Sequence, residues 1–184
     1  MKLSIRVFVT AICLSFAFAA TAQITSGNPH FKKGDVDINA GIGLLKTYYS
    51  STSTVMPPIS VSGEYGVSDK ISVGGFIGFS TAKEEWLGGQ IDYSFLIIGA
   101  RGSYHLTIWD KMDTYAGLML GYNKVSADYD NTVDGIFDFD VAASGVALSA
   151  YIGGRYPIKE NLSVYGEIGY GISVLNLGVS FKLK

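Results

Sequence analysis

Apolar and polar residues alternate with a period of two from Asp35 to Leu44, where Val36, Ile38, Ala40, Ile42 and Leu44 stand against Asp35, Asp37, Asn39, Gly41 and Gly43. That period belongs to a strand with two unlike faces. A Ser- and Thr-rich stretch from Tyr48 to Pro58 reads as a loop. The alternation then returns from Ile59 to Val67, with Ile59, Val61, Tyr65 and Val67 opposed to Ser60, Ser62 and Glu64. Ser68-Asp69-Lys70 reads as a three-residue turn into a third strand. It would pair Val67 with Ile71, Tyr65 with Val73, Val61 with Ile77, Glu64 with Gly74 and Ser62 with Phe76. Both faces then stay in register, whereas a one-residue slip would mix them.

A second loop, Thr81 to Gln90, leads to a strand from about Ile91 to Leu106, with Ile98, Ala100, Gly102, Tyr104 and Leu106 opposite Gly99, Arg101, Ser103 and His105. Thr107 to Met112 reads as a turn, and Asp113 to Lys124 as a fifth strand with Ala116, Leu118, Leu120 and Tyr122 on its apolar face. The sixth strand ends at Tyr156, and a turn at Ile158-Lys159-Glu160 would set Tyr151 beside Glu167. Leu162 to Tyr170 and Val174 to Leu183 complete the set, joined by a tight return at Gly171 to Ser173. Eight strands of roughly 9–11 residues, joined alternately by short turns and longer polar loops, have the dimensions of a transmembrane barrel. The expected fold is all-β, an eight-stranded antiparallel up-and-down barrel with its short turns facing the periplasm and its long loops outside.

A soluble lipocalin-like barrel alternates too, so the identity of the polar residues decides which face is inside. Here that face carries Gly and Ser with few charges, Glu64, Arg101, Arg155 and Glu167, too sparse for a wetted exterior. Two arginines and two glutamates cancel, as an ion-paired lumen requires. The apolar face carries no charge. Tyr65, Tyr104, Trp109 and Tyr156 gather at the short-turn end, and Tyr48, Tyr93, Tyr122 and Tyr170 at the other, like two interfacial girdles.

The N-terminus has a different logic. Lys2 and Arg6 precede an apolar run from Val7 to Ala20, which ends in Ala20-Thr21-Ala22. This pattern predicts a secretory signal peptide, residues 1–22, cleaved before Gln23, with residues 23–184 forming one barrel domain. The only cysteine, Cys13, lies within the signal and follows Ile12, so no lipid anchor is expected and the processed chain would have no thiol for a disulfide or metal site. Loss of Lys2 and Arg6 leaves 12 basic residues against 16 acidic ones, a net charge of −4. That balance offers no footprint for nucleic acid.

The architecture resembles the small outer-membrane β-barrel family typified by OmpX and the transmembrane part of OmpA. Asn176-Leu177-Gly178-Val179-Ser180-Phe181-Lys182-Leu183 resembles the family's C-terminal assembly signal, in which Asn176, Gly178, Phe181 and Leu183 occupy the patterned positions. Lys184 departs from the usual aromatic terminus. The resemblance implies a monomer in contact with outer-membrane lipid and lipopolysaccharide, delivered by the barrel-assembly machinery. It also implies no cofactor.

The chemistry-bearing residues are few. Some barrels of this size act on lipid A with His, Ser and an acid, but the two histidines here, His30 and His105, do not suit that task. Ser103 and His105 share a face at the expected periplasmic end, whereas lipid A occupies the outer leaflet, so no enzyme is expected. In the third outer loop Asp128, Asp130, Asp134, Asp138 and Asp140 crowd around Asn131 and Gly135. The spacing fails the EF-hand pattern, and a solvated acidic loop that offers a surface for a ligand is the expectation. Alternation from Ile136 to Val141 suggests that strands five and six continue past the membrane as a hairpin with its tip near Asn131. The expected function is a non-catalytic structural or surface-interaction role, in adhesion or envelope integrity. The alternative is a narrow OmpW-like barrel that binds or passes a small or apolar solute.

Overall fold

The computed structural model describes residues 30–47, 53–86, 89–130 and 144–183. Eight strands follow one another as β1 (Val36–Lys46), β2 (Ser53–Gly66), β3 (Ile71–Trp86), β4 (Gly89–Trp109), β5 (Met112–Asp130), β6 (Gly145–Lys159), β7 (Leu162–Gly169) and β8 (Ser173–Lys182). Each pairs antiparallel with its sequence neighbours, and β1 pairs with β8 to close the barrel. Closure leaves no edge strand around the ring.

Burial is inverted relative to a water-soluble domain. The outward row of β1, β2 and β3 includes Ile38, Ile42, Val61, Tyr65, Val73 and Ile77, all exposed, while Asp37, Asn39, Ser60, Ser62, Glu64 and Ser72 point inward and are buried. Ala116 is half-buried, while Leu118, Leu120 and Tyr122 are exposed on the outer wall of β5. The β2–β3 register has Tyr65 opposite Val73, Val61 opposite Ile77, Glu64 opposite Gly74 and Ser62 opposite Phe76, so the faces remain unmixed.

Several boundaries differ from the sequence reading. β2 starts at Ser53, inside the expected loop, and carries Pro57 and Pro58 through register shifts between Thr54 and Ile59. Proline cannot donate to a ladder, and an irregular register accommodates it. The expected loop from Thr81 to Gln90 is mostly strand, because β3 and β4 stay paired up to Trp86 and Gly89. Its composition concealed this: Lys83, Glu84 and Glu85 lie beyond the apolar belt, so the outward row loses the contrast that marks a strand. β5 runs past Lys124 to Asp130, paired with Gln90 of β4, in line with the expected continuation of strand five toward Asn131. The other arm of the expected hairpin, and its tip, lie outside the described residues.

Two finer expectations are overturned. The β6–β7 turn sits at Glu160-Asn161 rather than at Ile158 to Glu160, and Glu167 therefore pairs with Gly153, not with Tyr151. Tyr151 pairs with Gly169. Tyr93 is not part of an outer girdle, because it packs inward against the cluster of Ala82, Phe95 and Val125. Tyr65, Tyr104, Trp109 and Tyr156 are exposed near the short turns, as are Tyr122 and Tyr170 toward the other end; Tyr48 lies outside the described residues, as does the expected signal peptide.

Candidate functional site: the ionic lumen

Inward-facing side chains divide the lumen into two chemical halves. Toward the long loops it is apolar, with Ile97, Met119, Tyr151 and Ile172 in one cluster and Phe76 and Ala147 packed against it. Phe95, Ile97, Val125, Ala147 and Ile172, with Asn123 and Ser149, line a cavity of about 440 Å3 at this end. Toward the short turns the lumen is ionic.

Arg101 of β4 lies at the centre of the ionic half. Its Nη2 is 2.6 Å from Oε1 of Glu167 on β7, and its Nε is 3.0 Å from Oε1 of Glu64 on β2. Its guanidinium also lies 4.1 Å from the centre of the Tyr151 ring. Arg155 of β6 reaches the same Glu64 at 3.4 Å, Asp37 of β1 at 3.2 Å and Asp113 of β5 at 3.1 Å. Ser72 and Ser103 donate hydrogen bonds to Glu64 Oε2 at 2.6 and 2.9 Å, and the Tyr115 hydroxyl donates to Glu167 Oε1 at 2.8 Å. Each shared carboxylate thus keeps most of its lone pairs occupied, which is what allows charge to persist away from water.

The structure brings Glu64, Arg101, Arg155 and Glu167 together in one buried network. It also corrects their expected neutrality, since Asp37 and Asp113 join and two arginines face four carboxylates. Alternation could have flagged both aspartates, because each lies on the polar parity of its strand. The fully buried His105 was visible in the same way, although its partners were not.

His105 is held by Asp113 through Nδ1, at 2.9 and 3.0 Å, and its Nε2 lies 2.9 Å from Ser72 Oγ. Serine, histidine and aspartate thus fall in the order of a nucleophilic triad. Here Ser72 has no solvent-accessible surface and donates its proton to Glu64, so its hydroxyl is enclosed and already engaged. The geometry suits a buried hydrogen-bond chain. A feature with no local sequence signal covers it: Phe31, which precedes β1, is buried and stacks on His105 at 3.5 Å between ring centres and 2° between planes.

The C-terminal pattern has a structural side as well. Asn176 is buried in the lumen and donates to Ser60 Oγ at 2.7 Å. A Cβ at Gly178 would stand 2.0 Å from the Ala40 carbonyl oxygen, so only glycine fits there. Phe181 and Leu183 are exposed. Of the acidic residues expected in the loop, Asp128 and Asp130 belong instead to β5, paired with Asp92 and Gln90 of β4, and Asp128 is exposed, while Asp134, Asp138 and Asp140 lie outside the described residues. Among the described residues, no group of three or more potential ligands is placed to hold a metal ion.

No protein-family model and no curated protein matches the chain. Solved structures do. OprG, an outer-membrane protein of Pseudomonas aeruginosa, is 13% identical over 83% of this chain and 97% of its own, with a TM-score of 0.53. Neisserial surface protein A is 15% identical over 82% and 96%, with a TM-score of 0.52. The fold is therefore that of the small eight-stranded outer-membrane barrels.

Proposed function

We propose that this chain is an integral outer-membrane barrel with a structural or surface-interaction role, in adhesion or envelope integrity, and not a catalyst. The observation that carries the reading is the inverted burial: Leu118 is 62% and Val146 79% exposed, whereas Glu64 is 3% and Arg101 4% exposed. An outer wall of that composition is stable only against hydrocarbon, where the closed ladder also satisfies the backbone. In this reading residues 1–22 are removed near Ala22, and the assembly machinery engages Asn176, Gly178, Phe181 and Leu183. The barrel then sits as a monomer among lipid and lipopolysaccharide. The third outer loop, with Asp134, Asp138 and Asp140, together with Asp128 and Asp130 at the end of β5, is the surface offered to a ligand.

Membrane extraction followed by gel migration tests the placement. The folded protein should need detergent for recovery and should migrate differently unboiled and boiled. Recovery as a water-soluble species would end the proposal. Removing residues 128–140 should abolish surface binding; its survival would discard the loop assignment.

A second reading, a narrow barrel that binds or passes a small apolar solute, is favoured by the apolar cavity around Phe95, Ile97, Val125 and Ile172. The ionic network beneath it argues against open conductance, because the lumen of an eight-stranded barrel is about as wide as its side chains. Planar-bilayer recording separates the readings, since steady conducting events would favour the second.

A further inference from the structure

We infer that the segment from His30 to Asp35 is a built-in seal on the short-turn mouth of the barrel, and that the Phe31 ring is the part that shields His105 and Ser72 from the water outside. Phe31 belongs to no strand, yet it is only 2% exposed. Burial of a large aromatic ring by an irregular segment requires a prepared slot, and Gly66 supplies one. A Cβ at Gly66 would stand 2.6 Å from the Lys32 carbonyl oxygen and 3.0 Å from Phe31 Cζ. Gly34 has φ of 90°, a conformation that turns the segment back toward β1 and that L side chains rarely adopt.

The segment is fastened around the rim at several separate points. Gly34 N–H donates to the Gly66 carbonyl at 2.8 Å, and Gly66 N–H donates to the Asp35 carbonyl at 2.9 Å. Lys33 N–H donates to Asp69 Oδ1 in the β2–β3 turn at 3.0 Å. His30 Nε2 lies 2.9 Å from the Asp110 carbonyl oxygen in the β4–β5 turn. Lys182, at the end of β8, pairs with Asp35 at 2.6 Å. All of these contacts are with turns and strand ends, so the segment can leave without breaking a ladder of the barrel wall. Such a unit opens at lower free energy than the ring itself. Beside Phe31 an open pocket of about 510 Å3 reaches Asp37, Asp113 and Arg155 from the short-turn end, so the cover that the segment supplies falls on His105 and Ser72, which do not line that pocket.

The chain has two histidines, His30 and His105, far apart in sequence. The folded barrel, with His30 kept as one of the segment's fastenings, would be treated with diethyl pyrocarbonate, and modification at His105 alone followed by peptide mass spectrometry. The seal predicts slow modification, and at least about a tenfold acceleration on adding Phe31→Ala, with hydrogen exchange of the Gly102 and Leu120 ladder amides unchanged. Equal rates with and without Phe31 would overturn the inference. So would an acceleration matched by faster exchange of those ladder amides, which would mean general loosening of the barrel. If the Phe31→Ala protein fails to fold, the wild type still decides. The Gly34 amide should exchange at least about tenfold more slowly than in an unstructured peptide, and exchange at the peptide rate would refute the seal.

Discussion

Tyr115 of β5 lies across Gly153, its partner on β6: a Cβ built at position 153 would stand 2.7 Å from the tyrosine Cζ. Two residues further along both strands the arrangement is reversed, with the Tyr151 ring 2.4 Å from a Cβ at Gly117. Each glycine makes room for the ring opposite it. The two rings in turn meet Arg101 and Arg155, whose guanidinium carbons lie 4.1 and 4.6 Å from the centres of Tyr151 and Tyr115. The positions of the lumen charges therefore depend on residues that carry no side chain.

Gly153→Ala should displace Tyr115 from Glu167 and lower stability by about 1–3 kcal/mol, the usual cost of overpacking. The penalty should shrink in a Tyr115→Ala background, because the ring that collides is gone. Urea unfolding of all four proteins in lipid vesicles gives the coupling energy. Additive effects would mean that the ring and the glycine do not constrain each other.

Arg101→Ala leaves Glu167 without its guanidinium partner and Glu64 with only one, Arg155. Removing one partner of a buried pair typically costs about 3–5 kcal/mol. The unfolding midpoint should fall accordingly, and pairing the change with Glu167→Gln should recover part of the loss. A midpoint unchanged in Arg101→Ala would contradict the buried network.

Leu118→Arg places a charge on the outer wall, where a residue near the bilayer centre costs about 2–4 kcal/mol. Lys159→Ala, in the exposed end of β6, should stay within about 0.5 kcal/mol of the parent. Equal tolerance of both changes would argue that the wall at Leu118 does not face lipid.

Ser72→Ala removes a donor to Glu64 and the partner of His105 Nε2, and should cost about 1–3 kcal/mol. A fluorophosphonate probe should leave Ser72 unlabelled in the folded wild type, since its hydroxyl is enclosed and already engaged. Stoichiometric labelling at Ser72 would instead identify a working nucleophile.

The period-two alternation by itself determined the number of strands, their antiparallel order, the β2–β3 register and which side of the wall is apolar, because the contrast between lipid and lumen is written at every second residue of β1 to β3. It failed where that contrast ends. From Lys83 to Glu85 the strands leave the apolar belt, both faces tolerate polar residues, and the ladder continues without a pattern to announce it; past Lys124 the continuation of β5 was announced only by the alternation from Ile136 to Val141. Tertiary structure alone decided who pairs with whom across the lumen. Asp37 and Arg155 are 118 residues apart and meet only because the ring closes, and Phe31 finds His105 only because a short segment folds back over the mouth. Alternation encodes the side to which a residue points, a local property of the strand, whereas a partner across the barrel depends on the stagger accumulated by all eight strands.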